Sequence, residues 1–379
     1  MARARAAVQV GPRKYEVQEF EIPNVGADDA VMRVEACGLC GSDVDQYDGK
    51  LDGMGLRFPV IPGHEPIGII EEIGPEAARR WGLKPGDRVA VEPTLGCGRC
   101  RACMTGNNRR CRIGRPGVRL AACGFIPTTI KPALWGGLAE YMYLDPNAAL
   151  HKVSGEVPAE LAALFQPVAA GISWAYREPN TRIGDTVVIF GAGQRGLTSI
   201  IAAREAGAAA VFVVARRQSA HRVALAREFG ADETIFSDED VVKRLRQLTQ
   251  GEGADVVVDV TAETMAPIPA AIEIAKPGAT IILAGVKGPG VYLQRVEHDR
   301  IFAKELTIKG VKNADYRSFE IAIKLIESGK YPLEKMHTHR FGLSSLEQAL
   351  LTLAGRVPGE NAISVSINPA LKRSVSDRL

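Results

Sequence analysis

The chain has 379 residues and a formal net charge of +3, with 46% hydrophobic and 24% charged residues. That length exceeds one ordinary core, so two domains are expected. The near-balanced charge, with no basic run and no aromatic-interleaved stripe, argues against a nucleic-acid surface. The longest apolar stretch, Ala206–Ala215, is far too short to span a membrane. The opening MARARAAVQV lacks the apolar core of a signal peptide. Seven cysteines, ungrouped or at metal spacing rather than in a dispersed framework, suit a reducing compartment. A soluble, cytoplasmic protein is expected.

Residues 1 to about 165 are rich in Gly and Pro and carry short alternating apolar segments. Val31–Ala36, Ile67–Ile73 and Asp87–Val91 are expected to be strands separated by turns, which gives an irregular, mostly β region. Two motifs fall in it: Cys37-Gly38-Leu39-Cys40-Gly41-Ser42-Asp43, and Gly63-His64-Glu65-Pro66-Ile67-Gly68. Cys and His are zinc ligands, and a serine two residues from a ligand can pass a proton. Cys97, Cys100, Cys103 and Cys111 follow, spaced C-x2-C-x2-C-x7-C. Four thiolates in one short loop make a closed tetrahedral Zn²⁺ cage with no open position, so this metal is structural.

From Thr186 the texture changes to strands alternating with helices. Thr186–Phe190, Ala210–Ala215, Val256–Val260 and Thr280–Ala284 read as buried strands. Leu197–Ala206, His221–Gly230 and Asp240–Thr249 have helical periodicity. This alternation predicts a parallel sheet covered on both faces, an α/β doubly wound Rossmann domain. Its first strand runs into Gly191-Ala192-Gly193-Gln194-Arg195-Gly196 and then a helix. In that context the glycines admit a pyrophosphate to the backbone, and the helix N-terminus binds it. Arg195 lies along the pyrophosphate or points to water. The next strand ends Val214-Ala215-Arg216-Arg217, without the carboxylate that NAD ribose hydroxyls need. Arg216 and Arg217 can pair with a 2′-phosphate, which favours NADP(H) over NAD(H). After about Lys304 β texture returns, with helices at Arg317–Ser328 and Ser345–Ala354 and a strand at Ala362–Ile367.

Taken together, these motifs resemble the zinc-dependent medium-chain dehydrogenase/reductase family, the alcohol and polyol dehydrogenases. The likeness covers nearly the whole chain. It includes Gly-His-Glu-x2-Gly-x5-Gly, the four-cysteine lobe, Trp135-Gly136-Gly137-Leu138-Ala139-Glu140-Tyr141 and the Rossmann turn in family order. Val89-Ala90-Val91-Glu92-Pro93 and Gln166-Pro167 look most like the polyol branch. The resemblance implies a mostly β GroES-like catalytic domain over residues 1–167, an NADP-binding domain over 168–306, and a return to the catalytic domain over 307–379.

The same resemblance implies roles. Cys40 and His64 match catalytic zinc ligands. Glu65 matches a glutamate that ligates the metal or exchanges there with water. Asp43 matches the carboxylate that orients the histidine, and Ser42 the hydroxyl that shuttles the substrate proton. Two positions depart from the family. Asp45 stands where a relay histidine is common, and Gln166 where a Glu, Asp or Cys ligand is usual. Either the Gln166 amide binds zinc, or Glu65 or water replaces it. The implied activity is interconversion of an alcohol and an aldehyde or ketone by hydride transfer to or from NADP(H), with two zinc ions per chain, in a homodimer or homotetramer. Alternatives are a zinc-independent reductase of activated double bonds and a non-catalytic NADPH-binding protein. Phe125, Ile126, Leu134 and Trp135 form either an apolar pocket wall or a packed loop. By the same resemblance, the cofactor domain's sheet edge near Val291–Leu293 is a candidate subunit contact.

Overall fold

In the computed structural model, residues 2–51, 55–113, 121–288, 290–293 and 296–371 are described. The chain divides into two compact units, Met1–Gln166 with Asp315–Leu379, and Pro167–Ala314.

The first unit opens with an antiparallel hairpin of β1 (Arg3–Gly11) and β2 (Lys14–Glu21). Its larger sheet uses β3 (Ala30–Leu39), β4 (Glu65–Ile73), β5 (Arg88–Val91), β6 (Tyr141–Leu144) and β7 (Leu150–Lys152). Two late strands, β14 (His337–Phe341) and β15 (Ser364–Ile367), complete it. The order is β14-β15-β3-β4-β5-β7, with β6 also paired to β3. Its long central strand, β3, is mostly buried, with Arg33 and Glu35 carrying the polar positions of its first half. The β3–β4 register shifts between Val34 and Ala36. Such a shift changes which face a side chain meets. Before it, Ala30, Met32 and Val34 pack with Trp135, Leu134 and Ile126. After it, Cys37 and Leu39 pack with Val365, Ile367 and the helix Leu346–Leu353.

The second unit is a six-stranded parallel sheet. Its strands are β8 (Thr186–Phe190), β9 (Ala210–Ala215), β10 (Glu233–Phe236), β11 (Ala254–Asp259), β12 (Ala275–Leu283) and β13 (Thr307–Gly310). The order is β10-β9-β8-β11-β12-β13. Val187, Val188 and Ile189 at the centre are fully buried, as expected of a sheet covered on both faces. The two edge strands escape the sequence pattern because they are short and polar. One consequence is a shifted boundary: return to the first unit was expected at 307, but Thr307–Gly310 pairs with β12, and the crossing falls at Asp315. Among the described residues no helix is long and apolar enough to cross a membrane.

Buried His337 on β14 shares a 2.8 Å hydrogen bond with Ser366 Oγ. Burial pushes its pKa down to about 4, only partly opposed by the Glu160 charge. The unfolded chain protonates this ring near 6.5. Stability from this group is therefore complete above pH ~6.5 and is lost as pH falls towards 4, by roughly 3 kcal/mol at most. Urea melts between pH 4 and 7 will show this slope, and His337→Gln will flatten it.

Candidate metal and dinucleotide sites

The pairing of β3 with β4 builds the first cluster. Gly38 lies opposite Glu65, and Cys37 opposite Pro66. The antiparallel register therefore puts Cys40, just beyond β3, next to His64, just before β4. A Cβ at position 38 would stand 2.5 Å from Glu65 Oε2, so any larger residue there would displace the Glu65 carboxylate. Cys40 also caps the helix Gly41–Tyr47, and its backbone N–H donates to Asp43 Oδ2 at 2.8 Å. The other Asp43 oxygen is 3.3 Å from His64 Nδ1, with that carboxylate 1% exposed. Ser42 Oγ lies 3.3 Å from His64 Nε2.

Ligand atoms of Cys40, His64 and Glu65 lie within 4.8 Å of one another. Burial pulls the His64 pKa down, but the Asp43 carboxylate and then Cys40 outweigh it, and the ring sits well above the usual histidine range. A thiolate, an imidazole and a carboxylate form a donor set that suits zinc. Gln166, at the start of the helix Phe165–Ile172, is 6% exposed. Asp45 points away to an ion pair with Lys50 at 3.2 Å. Of the four apolar residues flagged after the lobe, Ile126, Leu134 and Trp135 are core. Phe125 differs: its ring lies 5.7 Å from the His64 ring. Cys37 and Cys123 are buried thiols, the latter pushed up to about 12 by desolvation.

The second cluster is the four-cysteine loop, whose Sγ atoms all lie within 4.8 Å of one another. Cys100 Sγ is 3.5 Å from Cys103 Sγ and 3.8 Å from Cys111 Sγ. A tetrahedron with metal–sulfur bonds of ~2.3 Å has edges of roughly 3.8 Å, so the thiols already stand at cage spacing. All four are free rather than disulfide-bonded. The loop is seated on the unit beneath it: Tyr316 N–H donates to Gly106 O at 2.9 Å, and Arg109 is only 6% exposed.

In the second unit, β8 leads into the glycine turn and the helix Gln194–Glu205. Gly191 has φ 111°, a conformation side chains resist, and a Cβ on Gly196 would lie 1.8 Å from Gly191 O. The turn is thus closed so tightly that only glycine fits. Gln194 is 9% exposed in the first turn of the helix. The Arg195 guanidinium lies over the Trp174 ring, 5.8 Å from its centroid. The two arginines after β9 diverge. Arg216 ends the strand segment exposed, whereas Arg217 is engaged by Asp238 at 2.6 Å and lies over Phe236 at 4.5 Å. Arg222, within the segment read as helical, reaches the glycine turn: a Cβ on Gly193 would meet its Nη1 at 3.8 Å. Burial and the Arg216 charge lower its pKa.

A mostly β unit with two soft-donor clusters, followed by a doubly wound unit with a dinucleotide turn, defines a two-domain metal-dependent oxidoreductase. Comparison with known proteins agrees. Residues 26–155 match the alcohol dehydrogenase GroES-like domain, and residues 196–328 match the zinc-binding dehydrogenase domain. The chain belongs to the zinc-binding alcohol dehydrogenase family. It is 42% identical to a "probable alcohol dehydrogenase" of Mycobacterium tuberculosis, over 97% of this chain and 99% of that one. It is 32% identical to an erythritol/L-threitol dehydrogenase of Mycolicibacterium smegmatis, over 97% and 98%. Among solved structures it is similar to a protein of Sinorhizobium meliloti described as a zinc-binding dehydrogenase bound to NADP, with TM-score 0.83, 27% identity and coverage of 97% and 100%.

Removing the Asp43 carboxylate leaves the Cys40 amide without its acceptor and the buried His64 ring without its neighbouring negative charge. Asp43→Ala should cost roughly 2–4 kcal/mol, read as a drop in the thermal midpoint of the purified protein.

Proposed function

We propose that this oxidoreductase interconverts an alcohol and its aldehyde or ketone with NADP(H), using a metal held by Cys40, His64 and Glu65. The single observation that carries this is the convergence of those three donors in front of a buried Asp43. When bound, zinc supplies Lewis acidity to the carbon–oxygen bond, and the nicotinamide supplies or accepts the hydride. The chain's own residues do the rest. Asp43 fixes the imidazole orientation through Nδ1 and leaves Nε2 facing the donors. Ser42 Oγ, 3.3 Å from that nitrogen, is positioned to accept the proton of the substrate hydroxyl and pass it outward. Asp45, three residues on and half-buried in an ion pair with Lys50, is the acidic group proposed for its onward transfer, since Asp43 is engaged with His64 and the Cys40 amide. Phe125 beside His64 excludes water and offers an apolar contact to the substrate carbon chain. Glu65 is the third donor in preference to Gln166, because its carboxylate already stands in the donor cluster and carries the charge that a neutral amide lacks.

The four-cysteine loop holds a second, structural zinc, supported by its sulfur spacing. Cofactor choice rests on guanidinium groups. Arg216 and Arg222 are proposed to take the 2′-phosphate, and Arg217, already neutralised by Asp238, contributes less. A dimer or tetramer is supported by the open edge of β13, where Ile308 is 37% exposed, and by Tyr292 and Phe302 at 76% and 77%.

Elemental analysis of the purified protein should return two zinc ions per chain, and Cys103→Ser should lower this to one. A panel of simple alcohols, polyols and their carbonyls, assayed with NADP(H) and NAD(H), should show turnover favouring the phosphorylated cofactor. Full turnover after complete removal of zinc would sink the proposal. Light scattering should give two or four times the chain mass, with Ile308→Lys shifting it to the monomer.

A further inference from the structure

The carboxyl ends of three strands in the second unit meet around one buried ion pair. Asp259, the last residue of β11, is fully buried, and its Oδ2 is 2.8 Å from Lys287 Nζ. The same ammonium donates to Thr261 O at 2.6 Å and to Thr261 Oγ1 at 2.8 Å. Thr261 in turn donates to Asp259 Oδ1 through its N–H at 2.9 Å and its hydroxyl at 2.6 Å. The Ala284 and Gly285 amides both donate to Asp259 O, and a Cβ on Gly285 would fall 1.9 Å from Thr261 O. The loops after β11 and β12 are therefore knitted into one surface. That surface abuts the dinucleotide turn: a Cβ on Gly191 would meet Val260 Cγ2 at 3.1 Å and Thr261 Cγ2 at 3.4 Å.

The sheet order reverses between β8 and β11, since β8, β9 and β10 run to one side and β11, β12 and β13 to the other. A dinucleotide lies across such a switch point, outside the carboxyl ends of the strands. The glycine turn and Arg216 occupy the β8–β9 side and take the pyrophosphate and the adenosine ribose. The nicotinamide end is left to the β11–β12 side, above Asp259, Thr261 and Lys287.

We propose that Lys287 is a positioning and charge-balancing residue for the nicotinamide: it fixes the Thr261 platform and neutralises the Asp259 carboxylate beneath it. The inference rests on the dinucleotide assignment made above. The oxidised nicotinamide ring is cationic and the reduced ring is neutral. An unscreened carboxylate in a low-dielectric setting would hold the oxidised cofactor selectively. Paired with Lys287, the same carboxylate exerts only the short-range field of a dipole, and product release in either direction is not opposed by it.

The test is separate titration of NADP⁺ and NADPH into the zinc-loaded full chain at pH 8, by calorimetry and by NADPH fluorescence. Lys287→Met should lower the ratio of the NADP⁺ dissociation constant to that of NADPH by at least about fivefold, the lower end of ordinary site–site coupling. Adding Asp259→Asn to it should return the ratio to that of the unaltered protein. Lys287→Gln serves the same comparison if the methionine variant does not fold, and Lys287→Arg should keep the original ratio. Equal weakening of both cofactors by Lys287→Met, or a ratio that stays shifted in the double variant, overturns this inference alone. Failure of the unaltered protein to bind either dinucleotide overturns it together with the cofactor assignment.

Discussion

The register between β3 and β4 is the constraint on which the first unit's chemistry depends. Cys40 and His64 are far apart in sequence and belong to different connections. They meet only because Gly38 faces Glu65 and Cys37 faces Pro66. A slip of one residue would turn every side chain to the opposite face. Two features prevent that slip. The β3 irregularity between Val34 and Ala36 lets one strand serve two cores in succession. Glycines at 38, 63 and 137 allow the neighbouring backbone, Cys37 and Glu65 to close in, with would-be Cβ distances of 2.5–2.8 Å. Asp43 then ties the two strand ends together, holding the Cys40 amide with one oxygen and the His64 ring with the other. The electrostatic cost of enclosing these groups is offset when a cation joins them.

The second unit handles charge by a contrasting strategy. Its cofactor turn offers backbone amides and a helix N-terminus, features that need no side-chain charge. The guanidinium groups after β9 stand at different degrees of neutralisation. Arg217 is spoken for by Asp238, whereas Arg222 is partly desolvated beside Arg216. Two cations brought close together are well accommodated around a dianion. The opposite arrangement holds at the far side of the switch point, where Asp259 and Lys287 cancel.

Much of this was legible in the sequence because it is written in local spacing. The four cysteines, the glycine turn and the central strands Thr186–Phe190 and Ala210–Ala215 follow from residue type at fixed intervals, and the structure places both strands at those limits. What was not legible depends on contacts distant in sequence. The edge strands β10 and β13 are short and polar, so periodicity passes over them, and the return to the first unit was expected too early. Arg222 reaches Gly193 only because the segment after β9 folds back, and nothing in its spacing marks it. Phe125 was visible only as one of four apolar residues. Burial separates it from Ile126, Leu134 and Trp135, and it alone stands beside His64. Lys287 and Asp259 carry no motif, since their pairing is a product of how β11 and β12 end.

The sulfur spacing in the four-cysteine loop bears on more than folding. Thiols 3.5 Å apart need only a small approach to join, and an oxidant would couple Cys100 to Cys103 readily if nothing occupied the space between the four. A bound ion therefore acts as a protecting group, in the synthetic chemist's sense. While it stays, the loop tolerates oxidising conditions. If it left, the window for reloading would close at the rate of thiol oxidation.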